Sequence, residues 1–110
     1  MIHIFITLDS EGIVSKVIAD GHSEFEKRGR NIVCAAATVL LRTAARQFEA
    51  IKEVELRGEA ETPGSLNFVI EWYKQNRIAY LKGITDFLVK GIDDLSIEYP
   101  SECSLTIHRN

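Results

Sequence analysis

Two residues in the first third of the chain have the types and the placement of a nucleophile and its base. Cys34 lies near the start of a predicted helix, and His22 lies twelve positions earlier, at the end of a predicted strand. At a helix N-terminus, backbone N–H groups without intrahelical partners and the positive end of the helix dipole favour a thiolate over a thiol. A thiolate beside an imidazole is a nucleophile, so this pair predicts covalent catalysis in which His22 moves the proton.

The residue types alone leave a plainer alternative open. A cysteine flanked by Val33 and Ala35 is more often a small buried hydrophobic residue, and a lone loop histidine more often has no chemical role. Asn31 is a favourable N-cap residue, which would place Cys34 at the third helical position, among the N–H groups that can also bind an oxyanion.

The N-terminal half of the sequence predicts a hairpin followed by a long helix. Residues 2–8 and 13–20 alternate apolar and polar side chains, and residues 9–12 have turn composition. Residues 21–30 contain two glycines and several charges, which predicts a loop. From Asn31 to Ile51 apolar residues recur at helical spacing. Beside them runs a polar stripe formed by Arg42, Arg46 and Glu49.

The C-terminal half repeats this arrangement. Residues 54–57 and 66–73 predict a second hairpin, in which we expect Trp72 to be in the core, and residues 78–95 predict a second amphipathic helix. The tail alternates from Cys103 to Ile107, as a final edge strand does. The predicted fold is therefore an α+β, two-layer ββαββα domain with a fifth strand, its antiparallel or mixed sheet covered by two helices.

Composition limits the classes of function. The chain has 110 residues, 45% of them apolar, which predicts a single domain over residues 1–110, and its formal net charge of −3 gives no reason to expect direct binding to nucleic acid or to a membrane. Neither a secretory signal nor a membrane-spanning stretch is recognisable, so we expect a cytoplasmic protein. Two cysteines without CxxC spacing predict reduced thiols and no metal site.

One combined motif carries a family resemblance. The motif consists of a Gly-His pair at Gly21 and His22, a glycine at Gly29 and an Ile-Val-Cys-Ala-Ala run at residues 32–36. It resembles the signature of the ribosomal-processing cysteine proteases of bacteria. The resemblance implies a cytoplasmic endopeptidase that removes the N-terminal extension of a large-subunit ribosomal protein, the twenty-seventh, during ribosome assembly. It also implies a homodimer without metal or organic cofactor.

The same resemblance suggests roles for individual residues. By this likeness His22 is the general base, Cys34 is the nucleophile, and the loop of residues 23–30 forms part of the substrate site. Substrate-binding candidates in and beside that loop are Gly21, Ser23, Glu24 and Gly29.

Two residues depart from the family pattern. Asn31 stands where the family usually has an aspartate, and Thr38 stands where it commonly has a serine; both are candidate supports of the catalytic pair. Thr38 keeps a hydroxyl one helical turn after Cys34. A neutral amide can orient an imidazole, as in papain-like proteases, but stabilises an imidazolium less than a carboxylate does. Asn31 therefore keeps an alternative open, a non-catalytic ribosome-assembly or peptide-binding domain on the same scaffold.

Overall fold

A computed structural model of the chain describes residues 1–21, 32–59 and 65–110. The predicted loop 21–30 and the candidate residues His22, Ser23, Glu24, Gly29 and Asn31 therefore lie outside the described residues, except for Gly21. The elements, in chain order, are β1 (Ile2–Leu8), β2 (Val14–Asp20), α1 (Ile32–Ala50), β3 (Val54–Glu59), β4 (Leu66–Tyr73), a 3-10 turn (Gln75–Arg77), α2 (Ile78–Glu98) and β5 (Cys103–Arg109).

The five strands form one mixed sheet in the order β3-β4-β2-β1-β5. Three neighbouring pairs are antiparallel, and β5 runs parallel to β1 with Cys103 opposite Ile2. A parallel pair needs a long crossover connection, and the one that joins β1 to β5 includes β3, β4 and α2. The predicted α+β architecture, with a mixed sheet and two helices, is confirmed.

The two layers follow from the alternation of the strands. One face of β1 is buried at every second position, and the intervening side chains face outward. Both helices cover the buried face, and the ring of Phe48 on α1 packs against Phe68 on β4 with centroids 6.2 Å apart. The core positions of the helices are Val33, Ala37, Leu41, Ala44 and Phe48 on α1 and Leu81, Thr85, Leu88 and Ile92 on α2.

The turn between β1 and β2 is organised by Asp9. One carboxylate oxygen, Oδ1, accepts hydrogen bonds from the backbone N–H groups of Glu11 and Ile13 at 2.9 and 3.0 Å. The other, Oδ2, accepts one from the Tyr73 hydroxyl at 2.6 Å. A single side chain thus joins the first turn to the end of β4.

The prediction that Trp72 belongs to the core is wrong, because 51% of this residue is exposed. The register of β3 against β4 shifts between Glu55 and Leu56, which pair with Trp72 and Ile70 and leave Glu71 as the extra residue. Such a bulge reverses the alternation beyond it. Trp72 therefore faces solvent, and the partly buried Tyr73 turns toward Asp9 instead.

The two helices approach each other closely at Gly91 of α2. A Cβ atom built at Gly91 would lie 3.1 Å from Leu40 Cδ1 of α1. The absence of a side chain at Gly91 thus allows the close helix contact. Neither helix of the described ranges combines the length and the apolar character that crossing a bilayer requires.

Candidate active site

The predicted nucleophile lies in the first turn of α1. The helix starts at Ile32, so Cys34 is its third residue, half-buried and packed at the margin of the core. The neighbouring Val33 is buried and fixes the helix end against the sheet. Reactive cysteines occupy partly exposed positions of this kind near helix N-termini, whereas inert ones are fully enclosed.

The hydroxyl of Thr38 belongs to the same helix end. Thr38 Oγ1 donates a hydrogen bond to the backbone carbonyl oxygen of Cys34 at 2.8 Å. This is the back-bonding pattern typical of threonine inside a helix. The predicted proximity of Thr38 to Cys34 is therefore present in the structure, with the hydroxyl proton engaged by the backbone.

Gly21, the residue before His22, leaves β2 in a backbone conformation that favours glycine. Its φ angle is +120°, and a Cβ atom at this position would collide with the carbonyl oxygen of Met1. The glycine of the Gly-His pair thus lets the chain pass directly beside the start of β1. A role of Gly21 in substrate binding stays a prediction.

Cys103 lies at this end of the sheet, at a position that the sequence did not predict. It opens β5, pairs with Ile2 and is 1% exposed. Burial, and to a smaller extent the electrostatic influence of the nearby Cys34, raise the pKa of the Cys103 thiol. The alternating tail of the sequence predicted a final strand, but it did not predict that β5 would pair with β1.

Gly21, Ile2, Cys103 and Cys34 thus form a chain of neighbours at one end of the sheet, where β2 ends and β1, β5 and α1 begin. No disulfide joins the two cysteines. His22 and Asn31 lie outside the described ranges. Their positions relative to Cys34, on which the dyad depends, therefore stay predictions.

Residues that could hold a metal ion do not cluster in the described part of the chain. Within residues 1–21, 32–59 and 65–110 no three side chains of histidine, cysteine, aspartate or glutamate converge. His3, one of the two described histidines, hydrogen-bonds through Nδ1 to the Ser104 hydroxyl at 2.9 Å. Its side chain thus serves the pairing of β1 with β5.

Comparisons with known proteins agree with this geometry. A family model described as cysteine protease Prp matches residues 1–104. Two proteins named ribosomal processing cysteine protease Prp, from two strains of Staphylococcus aureus, are each 46% identical to the chain over 41 residues. That stretch covers 37% of this chain and 39% of each relative, so it spans about two fifths of their length.

Solved structures share the whole fold. An essential ribosomal processing protease Prp from S. aureus, with a covalently linked product peptide, matches with a TM-score of 0.75 at 21% identity over 100% of both chains. A Streptococcus mutans protein matches with a TM-score of 0.78 at 20% identity, over 100% of this chain and 96% of the other. The S. aureus protease with a substrate peptide matches with a TM-score of 0.73 at 20% identity, over 100% of both chains. The family resemblance predicted from the sequence is confirmed.

Proposed function

Because this chain belongs to the family of the cysteine protease Prp, we propose that it is a cysteine endopeptidase with Cys34 as nucleophile and His22 as general base. The observation that carries the proposal is the half-buried Cys34 in the first turn of α1. Family, helix position and exposure all favour a reactive thiol over an inert one.

The reaction follows from these two groups. His22 accepts the thiol proton, and Cys34 Sγ forms a bond to the carbonyl carbon of the scissile peptide. Backbone N–H groups of the first turn of α1 donate to the oxyanion of the tetrahedral intermediate. His22 then gives the proton to the leaving amine, which leaves a thioester. Water, deprotonated by His22, hydrolyses the thioester and restores the thiol.

The substrate of the proposal is the N-terminal extension of a large-subunit ribosomal protein, the twenty-seventh, cut in the cytoplasm during ribosome assembly. Support comes from the relatives named as ribosomal processing proteases and from the neighbour bound to a substrate peptide. The candidate substrate contacts are Gly21, Ser23, Glu24 and Gly29. No metal or cofactor takes part in the scheme.

Intact-mass measurement of the precursor tests the proposal. Wild-type protein should shorten the precursor at one site, and Cys34→Ala and His22→Ala should leave it whole. Cys103→Ala, which removes the other thiol, is the matched control and should still cut. A folded wild type that leaves the precursor intact, or equal cutting by Cys34→Ala, would refute the assignment.

Asn31 supports a second candidate function, a peptide-binding or ribosome-assembly domain without catalysis. It predicts that Cys34 reacts with iodoacetamide only as fast as an ordinary thiol, whose pKa is about 8.5. The protease predicts rapid labelling that persists near neutral pH. Binding of the precursor by Cys34→Ala without any cutting by wild type would favour the second function.

We also propose that the chain forms a homodimer through the outer side of its helices. A groove of about 420 Å³ between α1 and α2 is lined mainly by apolar side chains, among them Val39, Leu40 and Ile84. Phe87, also in this lining, is 74% exposed. A two-fold axis would let the Phe87 of each copy fill the groove of the other.

Light scattering tests this interface with two matched variants. Phe87→Asp places a charge in the apolar groove and should yield the mass of a single chain. Ile97→Asp changes another exposed apolar residue of α2, 70% exposed and outside the groove, and should leave the dimer intact. A monomeric wild type, or equal dissociation by both variants, would contradict the proposal.

A further inference from the structure

A second groove, on the opposite side of α1 from the apolar one, is rich in arginine. It has a volume of about 490 Å³ and lies between α1 and the β3–β4 hairpin. Arg42 and Arg46 of α1 form one wall, Arg57 and Gly58 of β3 the other, and Phe68 of β4 contributes to the lining between them. These dimensions are in the range of sites that bind small ligands or peptide segments.

The groove borders the line of α1 that carries Cys34. Successive helical residues turn by about 100°, so Ala45, eleven residues after Cys34, lies within about 20° of it around the axis. Ala45 lines the groove, whereas Arg42 and Arg46 project about 80° and about 120° from the direction of Cys34, toward the β3–β4 hairpin. The groove is therefore placed to continue from the nucleophile toward the C-terminal end of α1.

The charge of this groove opposes the charge of the whole protein. Arg42, Arg46 and Glu49 of α1 place two positive charges and one negative charge along it, although the formal net charge of the chain is −3. Arg57 alternates with the core-packed Leu56, so its side chain projects to the other face of the sheet. Arg57 is already paired with Glu71, its Nε lying 3.1 Å from Oε1. Across the described ranges, neither Arg42 nor Arg46 takes part in an ion pair, so two exposed cations are available to a ligand.

The hairpin wall suits an extended ligand. β3 is an edge strand, since its only neighbour in the described sheet is β4, and an extended peptide can pair with such an edge. Gly58 contributes no side chain, which leaves the groove open over Phe68. An extended peptide bearing a carboxylate therefore fits both the shape and the charge of the site.

We propose that this arginine groove is a specificity site that binds an acidic residue of the peptide substrate, four to six residues from the scissile bond. Arg42 and Arg46 lie eight and twelve residues after Cys34, about 12 and 18 Å along the helix at 1.5 Å per residue. An extended peptide covers about 3.3 Å per residue, which sets the predicted interval. The inference rests on the proposed protease function and adds a selection rule to it.

The sign of the charge has a consequence for selectivity. Arginines at this position repel lysine and arginine side chains, so a basic peptide is disfavoured in the same register. The groove would thus distinguish among precursor segments by charge. This selection is separate from any that is made by the residues flanking the cleaved bond.

Paired measurements of cutting and binding test the proposal. Peptides with aspartate, asparagine or lysine placed three to seven residues from the cleaved bond, on either side, are compared. Wild type should prefer aspartate within the predicted interval. Arg42→Glu/Arg46→Glu should lower kcat/KM for the aspartate peptide about tenfold, leave the asparagine peptide nearly unchanged, and improve the lysine peptide. Lys16→Glu/Lys90→Glu, with the same charge change at exposed positions outside the groove, should retain the wild-type preference.

The binding measurement separates this proposal from the protease assignment. Fluorescence anisotropy with Cys34→Ala, with and without the arginine reversals, reports charge selection even if no peptide is cut. An aspartate preference that disappears with the reversals supports the groove as a peptide site whatever the catalytic result. Equal affinity for all three peptides would overturn it, and so would arginine-dependent binding of a short RNA without any preference among the peptides.

Discussion

Thr38 Oγ1 donates a hydrogen bond to the carbonyl oxygen of Cys34 at 2.8 Å, one helical turn from the predicted nucleophile. The bond commits the only proton of the hydroxyl to the backbone, so Thr38 cannot at the same time donate to a substrate or to the Cys34 sulfur. Its oxygen keeps lone-pair capacity. We therefore propose that Thr38 is a positioning residue, whose hydrogen bond sets the backbone geometry of the turn that carries Cys34.

Replacement of Thr38 separates its hydroxyl from its shape. Thr38→Val keeps the branched side chain and loses the hydrogen bond, worth about 1 kcal/mol, so we expect activity to fall about fivefold. Thr38→Ser keeps the hydroxyl and should stay near wild type. Steady-state kinetics with the precursor measures both. A Thr38→Val protein as active as wild type would show that the bond does not position the nucleophile.

The two cysteines should differ sharply in reactivity. Cys103 is buried and burial raises its pKa, whereas Cys34 is half-exposed at a helix N-terminus. Brief iodoacetamide treatment of the native protein should modify Cys34 alone, and unfolding in guanidinium should expose Cys103 to the reagent. Peptide mapping by mass spectrometry reads the two sites separately. Equal native labelling would contradict the burial of Cys103.

Replacing Asn31 gives a gain-of-function test, which is based on the departure of this residue from the family pattern. Asn31→Asp places a carboxylate where relatives of this family usually have one, which should stabilise an imidazolium at His22. A better stabilised thiolate–imidazolium pair favours the reactive form of Cys34, so a several-fold rise in kcat/KM is expected. Asn31→Ser preserves a helix-capping side chain without charge and serves as the control. A rise in both variants, or in neither, would remove the proposed electrostatic role.

The fold was predictable to the extent that local periodicity determines it. Alternation in β1 and helical spacing in α1 are strong signals, and both elements lie where the sequence places them. The error at Trp72 has a local cause that composition does not show, since one extra residue in β4 reverses the face of everything beyond it.

The candidate site was predictable only in part, for a related reason. The capping pattern placed Cys34 in the first turn of α1, because helix starts leave a signature in the sequence. The proximity of Cys103 depends on the pairing of β5 with β1, about one hundred residues apart, and the arginine groove depends on how α1 packs over the hairpin of β3 and β4. Neither contact leaves a periodic signal along the chain.

A buried threonine ties α2 to the start of β2. Thr85 is 1% exposed, and its Oγ1 accepts a hydrogen bond from the backbone N–H of Val14 at 3.2 Å. Thr85→Val keeps the shape and leaves that N–H buried without this acceptor, so we expect the free energy of unfolding to fall by about 1–3 kcal/mol. Urea denaturation measures the loss. Thr106→Val, at an exposed strand position, should change stability by less than about 0.5 kcal/mol. Equal effects of the two substitutions would show that the buried bond contributes nothing specific.

The contact of Tyr73 with Asp9 should make the protein sensitive to alkaline pH. Burial, reinforced by the hydrogen bond and negative charge of Asp9, raises the pKa of Tyr73 above its ordinary value of about 10. In alkaline solution the folded protein therefore keeps a proton that the unfolded chain releases. The stabilisation is complete below about pH 10 and declines as the pH rises from there toward the folded pKa, at up to about 1.4 kcal/mol per pH unit.

Urea denaturation of wild type and Tyr73→Phe measures how much of the free energy of unfolding depends on the Tyr73 proton. The pH should run from about 8 to about 11, on both sides of the ordinary tyrosine pKa of about 10. At the lower pH Tyr73→Phe should be less stable by about 1.5–3 kcal/mol, the usual contribution of a hydrogen bond to a charged group. Above pH 10 wild type should lose stability more steeply than the variant, so the two curves should converge. Tyr99→Phe alters an exposed tyrosine and should follow the wild-type curve. Curves that stay parallel for wild type and Tyr73→Phe over the whole range would show that the Tyr73 proton is not linked to folding.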